Sequence, residues 1–262
     1  MIFSFDLISD IHRETWPHFD WEGQPTAPYC IVAGDLARDR AIVIDTLEQL
    51  SEVYQGVFYI DGNDEHKDYA ENLGRSYKEL EQLISHIPKV VYLQDNVVIV
   101  DGVAIVATNG WWTYDFDPNL DLDQSIQWTS DHNRMSRDAA ISINGIGYQD
   151  AAYMINSVSK LQKEKDVKAI VLVTHTVPSP WIIDHDLDLL DTWRFNMLGN
   201  SHIDGALDAD VNKKIKTWCF GHYHQPIDTT KDGVRYVSNP RGRSNTDYCQ
   251  IVYYPKRISV KY

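Results

Sequence analysis

The chain has 262 residues, 43% of them hydrophobic, and a formal net charge of -14. This is enough apolar material for a full core at the length of one large α/β domain, and nothing in it suggests a disordered or fibrous chain. The acidic balance argues against a partner as large as long nucleic acid, which is held by Lys and Arg on its phosphates, but leaves room for a small phosphorylated substrate met by bound cations.

The predicted elements alternate from the start. Apolar runs at Ile2 to Ile8, Tyr29 to Ala33 and Val57 to Ile60 read as buried strands, the last two ending at Gly34-Asp35 and Asp61-Gly62-Asn63. Helical spacing covers Asp39 to Tyr54 and Tyr69 to Ile87, the second closed by Pro88. Lys89 to Leu93, Asn96 to Val100 and Val103 to Thr108 follow as strands, with Asp101-Gly102 as a hairpin signal. Residues 109 to 147 read as a loop-rich insert, followed by a helix over Gln149 to Lys165. Val167 to Val173 and Thr217 to Phe220 are strands, Ala206 to Lys216 a helix, and Val234 to Val237, Tyr248 to Tyr254 and Ile258 to Tyr262 the closing strands. The pattern predicts a single layered α/β domain over residues 1 to 262 with two packed sheets.

Cys30, Cys219 and Cys249 are far apart, odd in number and set in apolar runs, so buried free thiols and a reducing, cytoplasmic setting are expected. Met1 to Asp6 shows no basic region before a long apolar run, so no signal peptide is expected. No uninterrupted apolar stretch reaches about 18 residues, so neither a span nor a membrane partner is expected.

Five short segments sit just after strand-like runs and end in metal-ligand residue types. They are Asp10-Ile11-His12, Gly34-Asp35, Gly62-Asn63-Asp64-Glu65, Thr174-His175 and Gly221-His222-Tyr223-His224. Each has a plain alternative: a turn for Gly-Asp or Gly-Asn-Asp, a satisfied structural residue for a lone His. Loops beyond the strand ends of an α/β sheet converge on one crevice, however, and together these five point to a dinuclear metal site. Carboxylate, amide oxygen and imidazole suit two divalent ions, Mn²⁺ first with Fe or Zn²⁺ as alternatives, and the absence of thiolate argues against structural zinc. A shared carboxylate can hold such a pair, which would generate a bridging hydroxide near neutral pH and offset charge on a phosphoryl group.

This ordered set, Asp-x-His, Gly-Asp, Gly-Asn, a lone His and Gly-His-x-His, resembles the calcineurin-like metallophosphoesterase family from Asp10 to about Arg243. The resemblance implies a four-layer αββα sandwich of two mixed sheets flanked by helices. It implies one ion held by Asp10, His12, Asp35 and His224, and another held by Asp35, Asn63, His175 and His222, with Asp35 bridging.

The chain departs from the family where the Gly-Asn motif usually continues with His, because Asp64 stands there. An ordinary carboxylate is ionised at neutral pH and cannot protonate a leaving group. Asp64 therefore has a raised pKa or a structural role, or His66 supplies the imidazole, or the substrate needs little proton assistance. The reading that follows is a phosphoesterase favouring phosphodiesters of a small phosphorylated substrate, a nucleotide-like one among the candidates. A phosphomonoesterase acting on proteins or nucleotides, and an inactive binding scaffold, are the alternatives. Glu65 fits either a helix start or a residue orienting a ligand. Asp6 reads equally as a strand polar residue or an acceptor for a ligand imidazole. Trp111, Trp112, Tyr114, Phe116 and Trp128 either stack on a substrate ring or form a small satellite core, the simpler reading. Asn109, Arg134, Arg137, Asp184, His185, Asp186 and His202 are further candidates for substrate contact. Ser238-Asn239-Pro240-Arg241-Gly242 resembles a late motif of bacterial members of the family, which implies that it builds the sheet end beside the site.

Overall fold

The structure is a computed structural model and describes residues 1–16, 24–183, 192–246 and 249–262. Strands β1 (Ile2–Ile8), β2 (Tyr29–Ala33), β3 (Gly56–Ile60), β4 (Val90–Tyr92) and β11 (Lys256–Lys261) form one sheet in the order β11-β1-β2-β3-β4. Strands β5 (Asn96–Val100), β6 (Val103–Ala107), β7 (Ala169–Val173), β8 (Ile215–Phe220), β9 (Ile227–Lys231) and β10 (Val234–Ser238) form the second, in the order β5-β6-β7-β8-β10-β9. Both are mixed. β1 to β4 run parallel with β11 antiparallel, and β6, β7, β8 and β10 run parallel between antiparallel β5 and β9.

Side-chain alternation along the strands produces the layers. Phe3, Phe5, Leu7, Ile31, Ala33 and Phe58 of the first sheet meet Val103, Ile105, Val171, Val173, Cys219 and Val237 of the second in a buried seam. The opposite faces read as near-continuous apolar runs because they too are covered. Cys30, Val32, Val57 and Tyr59 pack under helices α1 (Arg40–Val53) and α2 (Leu73–Ile84). Val106, Ile170, Leu172, Trp218 and Phe220 pack under the long helix α4 (Arg137–Leu161) through Met154, Val158 and Leu161. The result is the expected αββα sandwich.

The Asp101-Gly102 hairpin forms, with φ of 50° and 78° suited to a tight primed turn. Other expectations change. Residues 109 to 147 are not loop throughout: they hold α3 (Leu122–Asn133) and the first turns of α4. Gly145, Gly147 and a polar, irregular pattern hide these helices in the sequence. Their starts are set by side-chain caps, Asp121 Oδ1 accepting from Gln124 N at 2.9 Å and Ser136 Oγ from Ala139 N at 3.1 Å. The helix expected over Ala206 to Lys216 stops at Ala209 (α6, Gly205–Ala209), and β8 begins at Ile215. Residues 249 to 255 form no strand, and Tyr248 lies outside the described residues. Edge strand β9 escaped notice because its exposed Asp-Thr-Thr-Lys lacks an apolar face. Cys30 and Cys219 are buried in strands, while Cys249 is half-buried outside one; all three are free. A short helix, α5 (Thr192–Phe195), precedes the chain's return towards β8. Among the described residues no helix is long and apolar enough to cross a membrane.

Candidate metal centre

The C-terminal ends of β1, β2, β3, β7 and β8 deliver the sequence-selected residues to one place. Ligand atoms of Asp10, His12, Asp35 and His224 lie within 4.8 Å of one another, and so do those of Asp35, His175 and His222. Asp35 is common to both groups. Asn63 joins the second, with Oδ1 3.1 Å from His175 Nε2. These are the two sets the motif resemblance implies.

The backbone bends sharply to achieve this. Asp10, His12, Asp35, His222 and His224 have φ of 49°, 44°, 54°, 67° and 58°, a left-handed conformation unfavourable for residues with a Cβ. So many neighbouring instances mark a site whose geometry the surrounding fold enforces. Main-chain bonds tie the loops together: Asp10 N to Gly34 O (2.9 Å), His12 N to Asp35 O (3.1 Å) and Gly221 N to His175 O (2.8 Å). Gly62 permits the closest approach, since a Cβ there would lie 2.1 Å from Asp35 Oδ1.

The donor chemistry fits cations. His12 Nε2 and His224 Nε2 face each other at 3.0 Å, and His12 Nε2 lies 3.6 Å from Asp35 Oδ2. Asp10 Oδ2 is buried without a hydrogen-bond partner, an expensive state unless a cation meets it. Burial works to raise the Asp10 carboxyl, but His224, His175 and His12 hold it well below the usual carboxylate range. Burial and the neighbouring His175 push His222 down to about 3, so its imidazole is neutral and keeps a lone pair. His175 Nδ1 donates to Ala33 O (3.0 Å) and His222 Nε2 to Met197 O (3.0 Å), which leaves the other nitrogen of each ring for an ion.

Glu65 is buried and braces the bridging loop, accepting from Leu36 N (2.7 Å), Asp35 N (3.2 Å) and Gly62 N (2.9 Å). Of its two expected roles, this is the one that orients a ligand.

The two candidate catalytic residues part company. Asp64 lies at the site, its Oδ2 3.3 Å from His12 Nδ1 and in contact with Arg243 Nη2. Burial opposes its ionisation, but His12, Arg243 and Lys67 together hold it below the ordinary carboxylate value. Asp64 is therefore an anion rather than an acid with a raised pKa. His66 is not at the site: it is fully buried, Nε2 on Asp61 Oδ2 at 2.8 Å and Nδ1 on Ser76 Oγ at 2.7 Å. With both nitrogens engaged, it has none to offer a leaving group.

Asn109 does not face a substrate either. Its Nδ2 donates to Asp61 Oδ2 (2.7 Å) and its carbonyl accepts from His175 N (2.9 Å), so it bridges the loops that carry Asn63 and His175. Asp6 accepts from Thr26, Ala27 and Tyr54 and touches no ligand. Trp111, Trp112 and Tyr114 are buried in the satellite core with Leu73, Ile126 and Ile143, while Phe116 joins the core under α4. Trp112 also stacks on His222 at 5.7 Å between ring centres. Trp128 is half-buried and stacks on His132. Arg137 pairs with Asp123, and His202 with Asp115. Asp184, His185 and Asp186 lie outside the described residues. Asn239 donates to Leu7 O (2.8 Å), and Gly242 N to Asp10 O (2.9 Å), so this segment closes the sheet end as expected. Sequence reasoning missed Arg243 as a site residue; its position just beyond that segment was the available signal.

The fold, two mixed sheets between helical layers, is shared with solved structures. Phosphopantetheinyl hydrolase (PptH) from Mycobacterium tuberculosis superposes with a TM-score of 0.67 at 19% identity, covering 91% of this chain and 89% of that one. An uncharacterized protein of Acanthamoeba polyphaga mimivirus is 21% identical over 233 residues, covering 83% of this chain and 79% of the viral one. No protein-family model matches the chain.

Proposed function

We propose that the protein is a dinuclear metal-dependent phosphoesterase. The observation that carries this reading is the pair of buried ligand groups that share Asp35. The mycobacterial protein of the same fold is itself named a hydrolase. Asp10, His12 and His224 would hold one cation, Asn63, His175 and His222 the other, and Asp35 both. Divalent ions held there would supply Lewis acidity to activate water at neutral pH and offset phosphoryl charge. The chain's own residues position the rest. Arg243 offers guanidinium donors at the mouth of the site, and the neutral His222 is held by Met197 and Trp112.

Neither Asp64, held ionised, nor His66, locked in the interior, protonates a leaving oxygen. The bond to phosphorus breaks with its electron pair on that oxygen, and the proton comes from solvent. This favours phosphodiesters with good leaving groups, because a singly charged diester meets less repulsion from Asp64 than a dianionic monoester does. One observation supports the monoesterase alternative: Arg243 pairs with Asp64 and offsets that repulsion.

The test is hydrolysis of bis(4-nitrophenyl) phosphate and 4-nitrophenyl phosphate by metal-stripped protein, before and after Mn²⁺ is restored. Metal-dependent cleavage of the diester in preference supports the main reading. Preference for the monoester supports the alternative. No cleavage by protein that has taken up metal would sink both.

A further inference from the structure

Beside the metal centre, the local charge runs against that of the whole chain. A cavity of about 470 Å³ is lined by Arg38, Lys67, Asp68, Glu71, His132 and Arg134, among others. Its size falls within the roughly 300–1,000 Å³ of ligand pockets. Two of its lining residues follow the centre closely in the chain, Arg38 three residues beyond Asp35 and Lys67 three residues beyond Asp64. Lys67 belongs to the 3-10 helix that Asp64 begins (Asp64–Asn72), and both Lys67 and Arg38 lie within Coulombic reach of the Asp64 carboxylate. Asp64 in turn sits 3.3 Å from His12 Nδ1.

Both carboxylates of the cavity are already engaged. Asp68 takes the fork of Arg38, with Nε 2.8 Å from Oδ2 and a second contact from Nη2. Glu71 accepts from Ser136 N at 2.7 Å and Ser136 Oγ at 2.5 Å. Lys67 and Arg134, by contrast, form no salt bridge and no side-chain hydrogen bond among the described residues, Lys67 lying only in the fields of Asp64 and Asp68. In a chain with 24 Lys and Arg against 38 Asp and Glu, three cations, Arg38, Lys67 and Arg134, line this one cavity, and Lys67 and Arg134 are exposed to whatever enters it. Arg134 ends α3 in a left-handed conformation, φ 55°, where Gly or Asn is the usual choice. The helix dipole accounts for a cation at that end, but not for Lys67 facing the same cavity.

We propose that this cavity is a substrate subsite that receives a second anionic oxyacid group, phosphate or carboxylate, carried on the phosphate ester away from the reacting phosphorus. Lys67 and Arg134 bind that group, and Arg38, held by Asp68, supports the local positive field. The inference rests on the phosphoesterase reading above.

The experiment compares Mn²⁺-loaded protein on the 4-nitrophenyl ester of thymidine 5′-phosphate, the same ester carrying a 3′-phosphate, and one carrying a 3′-carboxymethyl group. The expected result is about a tenfold higher kcat/KM for at least one doubly anionic ester over the parent, which corresponds to about 1.4 kcal/mol. In the double variant Lys67→Ala with Arg134→Ala, that ratio should fall to about one. Preference for the phosphate alone would assign a phosphate subsite, and equal preference for the carboxylate a general anion subsite. No preference in the wild type, or an undiminished one in the double variant, would overturn the proposal. If none of the esters is cleaved, the phosphoesterase reading has failed separately. The cavity is then read by calorimetric binding of thymidine 3′,5′-bisphosphate: weaker binding by about tenfold in the double variant upholds the subsite, and equal binding refutes it.

Discussion

The two sheets bring different chemistry to the centre. The first sheet supplies all three candidate oxygen ligands, Asp10, Asp35 and Asn63, together with His12; the second supplies only imidazoles, His175, His222 and His224. Each half alone is unfavourable: carboxylates crowded out of water repel one another, and buried imidazole nitrogens need a partner. A shared cation would answer both problems. Each half also holds one residue of the opposite kind set back from the centre. His66 lies behind the oxygen ligands on Asp61, and Asp150 of α4 lies behind the imidazoles, accepting from Gly110 N and Trp111 N at 2.9 Å each. Residue type therefore does not by itself make a ligand here. Position at a strand end does.

The largest effect should separate the bridging oxygen from a terminal imidazole. Asp35→Ala is expected to abolish turnover and to remove both ions, because both ligand groups lose a member. His222→Ala should also abolish turnover yet retain one tightly held ion. Metal content after gel filtration distinguishes them, and equal stoichiometry in the two variants would break the comparison.

Next, Asp150 predicts a pH dependence that the metal ligands do not explain. Burial, with the charge of Asp95 adding to it, pushes its carboxyl up to about 8. Below its ordinary value of about 4 the group is protonated in folded and unfolded chains alike, so the full stability is present. As pH rises through this window the unfolded chain ionises while the folded one keeps its proton, and stability falls by a few kcal/mol. Asp150→Asn keeps an acceptor for both amides and should flatten that fall, as followed by urea denaturation from about pH 5 to about pH 8.

His66→Gln should lower stability by about 1–3 kcal/mol through the loss of a buried hydrogen-bond partner for Asp61. Its kcat with saturating Mn²⁺ should change little. A collapse of kcat at unchanged metal content would return His66 to the role of proton donor. The smallest effect is expected far from the centre. Asp121→Ala removes the cap of α3 and should cost about 1 kcal/mol in thermal denaturation without touching turnover.

The ligands could be read from the chain because each follows an apolar strand run, and a run's end in an α/β sheet faces the common crevice. The same logic located β1, β2, β3, β7 and β8 to within a residue or two. It failed for α3 and the start of α4, whose capping Asp121 and Ser136 act through backbone bonds that leave no periodic trace. It failed for His66 as well. Two residues beyond the motif, an imidazole is as close in sequence to the site as any ligand. Only the 3-10 helix over Asp64–Asn72 turns it inward, onto Asp61 and Ser76.

What the amino-acid sequence determined alone is the alternation of strands and helices and the residue types at strand ends, since both depend on local spacing. What the tertiary structure decided is which groups meet over long stretches of chain: His12 with His224 across 212 residues, Asp64 with Arg243 across 179, and Asp61 with Asn109 across 48. Those pairings are set by how the two sheets pack and by left-handed turns at the ligands, and no short-range pattern encodes either.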